Sequence, residues 1–101
     1  VRLLHSIGRK LHDAHHLVEI LSRRRALARL SGFLLLHAER AGNGAVELSH
    51  EEIAASLSLS RETVTRKLAE MSRAGMVSSS GYRQIRVLDR SALQAAFMAD
   101  E

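Results

Sequence analysis

The sequence predicts a mainly α-helical domain with a small antiparallel β wing, preceded by a long helix. Three observations lead there. Apolar residues recur at spacings of three and four over most of the 101 positions, which is the period of amphipathic helices. Only short stretches, near 46–48 and 76–88, alternate as strands do. The chain has no proline, so glycines and polar caps supply its breaks.

Over residues 1–22, Leu4, Ile7, Leu11, Ala14, Val18 and Leu21 alternate three- and four-residue spacings, the a/d pattern of a coiled-coil seam. Each larger apolar side chain left in water forfeits roughly 1.5–3 kcal/mol, so the stripe demands a partner. Self-association into a homodimer is favoured over docking on the chain's own domain. Residues 1–22 are therefore expected to be the C-terminal part of a dimerisation helix that continues upstream of Val1, and 23–101 a separate unit.

A second helix, about 24–40, carries Leu27, Leu30, Leu34, Ala38 and Ala41 as its inward stripe, widened by Phe33 and Leu36. Gly32 at mid-helix marks close packing, because glycine there costs about 1 kcal/mol relative to alanine. Gly42, Asn43 and Gly44 stop the helix, and Val46, Glu47 and Leu48 alternate as a short strand. In "SHEE", Ser49 and Glu52 form a capping box for a short helix from His50 to Leu57, with Ile53, Ala54 and Leu57 inward. Ser60 caps the next helix, from Arg61 to about Ala74, which Gly75 ends. Met76 and Val77 open a strand, and "SSSGY" reads as a hairpin tip in which Ser79 and Ser80 are turn residues only. "RQIRVL" returns with Ile85 and Val87 on one face. Asp89 caps a last short helix bearing Leu93, Ala96 and Phe97. A winged helix-turn-helix has this order of elements.

Composition narrows the function. Lys and Arg outnumber Asp and Glu by 15 to 11, which favours a polyanionic partner. Aromatics make up only 3%, against single-strand binding through stacked bases. The absence of cysteine excludes disulfides and thiolate metal sites within the chain. No apolar run nears the ~18 residues of a membrane span, and no basic n-region with an apolar h-region marks a signal peptide, so a soluble cytoplasmic protein without a membrane partner is expected. The chain starts at Val1 rather than Met, as a piece of a longer protein would. No Ser/His/Asp set, phosphate-cradling loop or paired carboxylates support catalysis, so the chain is expected not to be an enzyme.

The stretch "SLSLSRETVTRKL" concentrates the chemistry. At about 100° per residue, Val64, Leu68 and Met71 share one side of the helix, while Arg61, Glu62, Thr65, Arg66 and Ala69 share the other. An arginine fork matches the O6 and N7 acceptors of guanine, and a carboxylate accepts from the N4 amine of cytosine. Ser60 and Thr63 at the helix N-terminus favour a phosphate. Such a charged face is usually just solvated, but the helix-turn-helix spacing and the wing after it favour base reading. In the hairpin, Tyr82, Arg83 and Arg86 are placed to meet the sugar–phosphate backbone, as is His50 at the start of its helix.

Other features have plainer readings. His12, His15 and His16 lie outside the seam, with no third ligand for the His12/His16 pair, and read as solvated surface. His37 falls on a partly buried helix face. Arg23, Arg24, Arg25 and Arg29 read as a solvated hinge.

The segment "LSHEEIAASLSLSRETVTRKLAEMSRAGMV" resembles the winged helix-turn-helix of Crp/Fnr-type bacterial transcription regulators, and the resemblance extends over 1–97. It implies that 1–22 end a dimerisation helix and that 23–101 are a DNA-binding domain. It further implies that Arg61, Glu62 and Arg66 contact bases and that the Ser49 hydroxyl contacts a phosphate. Arg61 makes the helix similar to the cyclic-AMP-receptor branch, which reads TGTGA-like half-sites in palindromic operators. The partners implied are double-stranded DNA, a second copy of the chain, and RNA polymerase. No cofactor is expected in this chain; an effector such as a cyclic nucleotide would belong to an N-terminal sensor domain. Three positions depart from the family pattern. Ser58 stands where glycine is usual in the turn. Lys67 replaces an apolar residue, its stem able to pack while the ammonium reaches water. Thr65 stands where glycine or serine is common, which bears on one base step. Two other readings stay open: a winged helix that docks its charged helix face on an acidic protein, and a winged helix of another regulator family with different dimer contacts.

Overall fold

The computed structural model describes residues 17–80 and 83–99. Residues 17–22 are helical (α1), followed by α2 (Ala26–Ala41), β1 (Ala45–Val46), α3 (His50–Leu57), α4 (Arg61–Arg73), β2 (Val77–Ser79), β3 (Ile85–Val87) and α5 (Arg90–Met98). Leu4, Ile7, Leu11 and Ala14 of the seam, together with His12, His15, His16 and Tyr82, lie outside the described residues. The two seam residues that are described, Val18 and Leu21, are 66% and 37% exposed.

The α2 helix is the central column. Leu30, Leu34, Phe33, Leu36 and Ala38 are buried along it, and the same core takes in Ile53, Leu57, Val64, Leu68, Met71, Ile85 and Leu93. It begins at Ala26, two residues later than expected, because Arg25 is extended and the turn before it closes through the Arg23 N–H on the Ile20 carbonyl. Gly42 ends it at φ 78°, donating its N–H to the Ala38 and Glu39 carbonyls; this left-handed geometry is easy only for glycine. Ala41, expected inward, is exposed: the helix's last turn runs past the core, and the buried stripe stops at Ala38.

The three strands are antiparallel in the order β1-β3-β2. Val46 faces Ile85, and Ser78 faces Arg86. β1 is shorter than the 46–48 expected and begins at Ala45. The Asn43 side chain holds the Ala45 N–H, and the chain leaves the ladder after Val46 to reach the Ser49 cap. β2 is also displaced. Met76 lies before it, with its carbonyl accepting from the Leu88 and Asp89 N–H groups. Ser79 pairs with Ile85 and the Ser80 N–H donates to the Gln84 carbonyl. Neither serine is therefore a simple turn residue, because backbone pairing continues through both whatever their propensity.

The arginine hinge is not uniformly solvated. Arg29 is half-buried, donating from Nε to the Arg23 carbonyl at 2.6 Å and from a terminal nitrogen to the Leu57 carbonyl at 3.2 Å. The Arg23 guanidinium lies 4.3 Å from the Phe97 ring centroid, a cation–π stack. Only Arg24 and Arg25 of the four are exposed. Gly32 explains why α1, α2 and α5 approach so closely: a Cβ there would stand 2.6 Å from the Phe97 ring and 3.0 Å from Ile20.

Gly32→Ala should destabilise the fold. Overpacking costs typically 1–3 kcal/mol against about 1 kcal/mol of regained helix propensity, so a net loss of about 1 kcal/mol in urea denaturation is expected. A second expectation concerns His37, half-buried with its ring centroid 4.3 Å from that of Phe33. Desolvation first, and the Arg40 charge second, hold its pKa below the ordinary 6.5. The unfolded chain then binds the extra proton, so this contribution is complete above pH 6.5 and is lost as the pH falls through the lowered value. Thermal melts from neutral pH down to about pH 5 should show a decline that His37→Gln reduces.

Candidate nucleic-acid interface

The interface is built from the turn between α3 and α4. Ser49 starts α3 with a full capping box: its Oγ accepts from the Glu52 N–H at 3.1 Å, and Glu52 Oε1 accepts from the Ser49 N–H at 3.0 Å. Ser58 closes α3 in the left-handed region at φ 56° and ψ 42°. It is the one non-glycine residue with positive φ among the described residues, a geometry that costs on the order of 1 kcal/mol. The backbone reverses there, and the Leu59 N–H returns to the Ala54 carbonyl. Leu59 is half-buried against the core, filling the angle between the two helices. Ser60 then caps α4, accepting from the Thr63 N–H at 3.1 Å and donating to Thr63 Oγ1 at 2.8 Å.

Packing decides which side of α4 faces out. Val64, Leu68 and Met71 are at most 1% exposed, packed in the core that holds Ile53, Ala54 and Leu57. Arg61, Glu62, Thr65 and Arg66 are all exposed on the opposite side. Lys67 is half-buried at the border, its ammonium 3.3 Å from Glu70, the arrangement its long stem allows.

Three contacts within this surface join residues far apart in sequence. Arg61 lies 3.8 Å from Glu51. Arg83 from the wing pairs with Glu52. His50 Nδ1 lies 2.8 Å from Thr65 Oγ1. Among the described residues, Glu62 and Arg66 make no such pair. The Glu52 carboxyl is held below its ordinary pKa, chiefly by the Ser49 backbone hydrogen bond, then by the Ser49 side chain and the Arg83 charge. Ser49 itself is only 4% exposed, its hydroxyl engaged in the cap. Arg86 is exposed on β3 and donates to the Asn43 carbonyl at 3.3 Å. No local sequence pattern reveals Glu51 and Glu52 as partners of the arginines: their mates lie 10 and 31 positions away and meet them only through the fold.

A helix-turn-helix with an exposed guanidinium–carboxylate–guanidinium face, flanked by a three-stranded sheet, defines a winged-helix DNA-binding domain. The family model of the Crp-like helix-turn-helix domain matches residues 28–96, and the chain belongs to that family. The transcriptional regulator SdrP of Thermus thermophilus is 32% identical over 98 residues, covering 91% of this chain and 48% of that protein. The chain thus spans about half the length of this curated relative. Among solved structures, FixK2 from Bradyrhizobium japonicum superposes with a TM-score of 0.77 at 32% identity, over 94% of this chain and 50% of that one. A CRP-family transcriptional regulator from Thermus thermophilus gives 0.78 at 26% identity, over 97% and 53%. The chain is the DNA-binding domain of a Crp/Fnr-type transcription regulator. None of the helices described is long and apolar enough to cross a membrane.

Because Ser60 satisfies the first turn of α4, Ser60→Ala should cost about 1 kcal/mol in chemical denaturation. Glu52→Gln should weaken acid sensitivity. The native pKa of Glu52 is depressed, so its contribution is present above the unfolded value and is lost as the pH falls through the native one. An unchanged acid-unfolding profile for Glu52→Gln would contradict that assignment.

Proposed function

We propose that α4 enters the major groove of double-stranded DNA and reads pseudo-palindromic operators with TGTGA-like half-sites. The carrying observation is the outward exposure of Arg61, Glu62 and Arg66 over a buried Val64–Leu68–Met71 side. Arg61 and Arg66 offer forks to guanine edges, Glu62 accepts from cytosine, and Thr65 meets the adjoining base step. The Arg61–Glu51 pair is exposed on both sides, and such pairs are weak, so releasing Arg61 to a base is easy.

His50, Ser60, Thr63 and Arg83 approach the phosphate backbone and set register. Ser49 acts from behind them, by holding the start of α3. Two copies, joined through the seam of Leu4, Ile7, Leu11, Ala14, Val18 and Leu21, would present their α4 helices about 34 Å apart, in successive major grooves. In the whole regulator, an effector such as a cyclic nucleotide would act through an N-terminal sensor part, with RNA polymerase as the downstream partner in the cytoplasm.

Competition binding against operator and random duplexes tests this reading. Arg66→Ala should lose about 1–3 kcal/mol of discrimination at one G·C position; equal binding of all duplexes by parent and variant would refute the base-reading role. The logarithm of the binding constant should fall with log salt at about −0.9 per phosphate contact, and Arg83→Ala should reduce that slope by about one contact without altering sequence preference.

A further inference from the structure

The contact between His50 and Thr65 joins the two helices of the motif on the surface that the base-reading proposal assigns to DNA. His50 is the first residue of α3 and half-buried; Thr65 is exposed on the outer side of α4. Their Nδ1 and Oγ1 atoms are 2.8 Å apart, a full-strength hydrogen bond. Both backbones are anchored: Ser49 caps α3 just before His50, and Val64, beside Thr65, is fully buried.

A hydroxyl has one hydrogen to donate and two positions at which to accept. Free to rotate, a threonine serves donors and acceptors alike and discriminates poorly between bases. A bond to the imidazole removes that freedom. With Nδ1 unprotonated, Thr65 donates to His50 and presents only lone pairs outward, matching the exocyclic amines of adenine and cytosine. With Nδ1 carrying the proton, His50 donates to Oγ1 and the threonine hydrogen turns outward, matching guanine O6 or thymine O4. The first arrangement shows the groove acceptors only; the second adds an outward donor and leaves one lone pair free, so the two differ in which base edges they favour.

We infer that His50 is a positioning residue for base selection, fixing the direction of the Thr65 hydroxyl and so the base preferred at one step of the half-site. The inference rests on α4 being the base-reading helix. It goes beyond the phosphate contact proposed for His50, which would strengthen all sequences alike: Nδ1 is the atom turned to Thr65, and its effect falls on one base step.

The 101-residue chain is titrated against duplexes in which each half-site position is varied in turn, using fluorescence anisotropy. The proteins compared are the parent, Thr65→Ala, His50→Ala, the double variant and His50→Asn. The parent should prefer one base roughly 3- to 10-fold at a single step, the range one hydrogen bond supplies. Thr65→Ala and His50→Ala should each flatten that same step, and the double variant should add nothing further. His50→Asn, whose short amide can reach where Nδ1 stood, should restore a preference there. An even loss of affinity for His50→Ala across all duplexes, with the step intact, would overturn the inference. So would Thr65→Ala leaving every step unchanged while Arg66→Ala relaxes its own; base reading by α4 would then survive. A parent with no preference at any position would defeat the base-reading proposal as well.

Discussion

The apolar contact between α3 and α4 governs what this domain can present. Ile53, Ala54 and Leu57 meet Val64, Leu68 and Met71 in the common core, with Leu59 filling the turn between them. Six apolar side chains on two short helices would be exposed if either helix rotated, at roughly 1.5–3 kcal/mol for each large one. That penalty locks the rotation of α4 about its axis. The outward direction of Arg61, Glu62, Thr65 and Arg66 is thus a consequence of what is packed behind them, and none of the four needs a contact of its own to be held there. The sharp turn has its own cost in the left-handed Ser58 backbone, which the same packing sustains.

On the solvent side, the beginning of α3 acts as an organiser. Three successive residues reach different targets: His50 to Thr65, Glu51 to Arg61 and Glu52 to Arg83. The acidic pair also suits a helix N-terminus electrostatically, so one short segment satisfies its own backbone and steadies the surface around it. Exposed ion pairs add little stability. Their effect here is on arrangement, since the wing and α4 are referred to the same turn of α3.

At the opposite end, α1 and α5 close over α2 at Gly32. The missing side chain admits the Phe97 ring and Ile20, and Arg23 stacks on the outer face of that ring. Arg29, reaching both the Arg23 and Leu57 carbonyls, connects this junction to the end of α3. The stretch that leads into the domain is therefore tied to the DNA-facing motif by named contacts rather than by a free linker.

Much of this was legible in the sequence, because helices and caps are specified locally. The three-and-four spacing of Val64, Leu68 and Met71, the "SHEE" box and the Ser60 cap all depend on residues within one turn of each other, and the structure agrees with each. Tertiary packing decided the rest. Strand limits shifted by a residue or more at Ala45 and Ser79, since a ladder is set by its partner strand and not by its own alternation. Arg23 and Arg29 left solvent because carbonyls and an aromatic ring distant in sequence were brought beside them. The pairing of His50 with Thr65 belongs to the same class: 15 positions apart, the two meet only because the apolar sides of α3 and α4 must exclude water together.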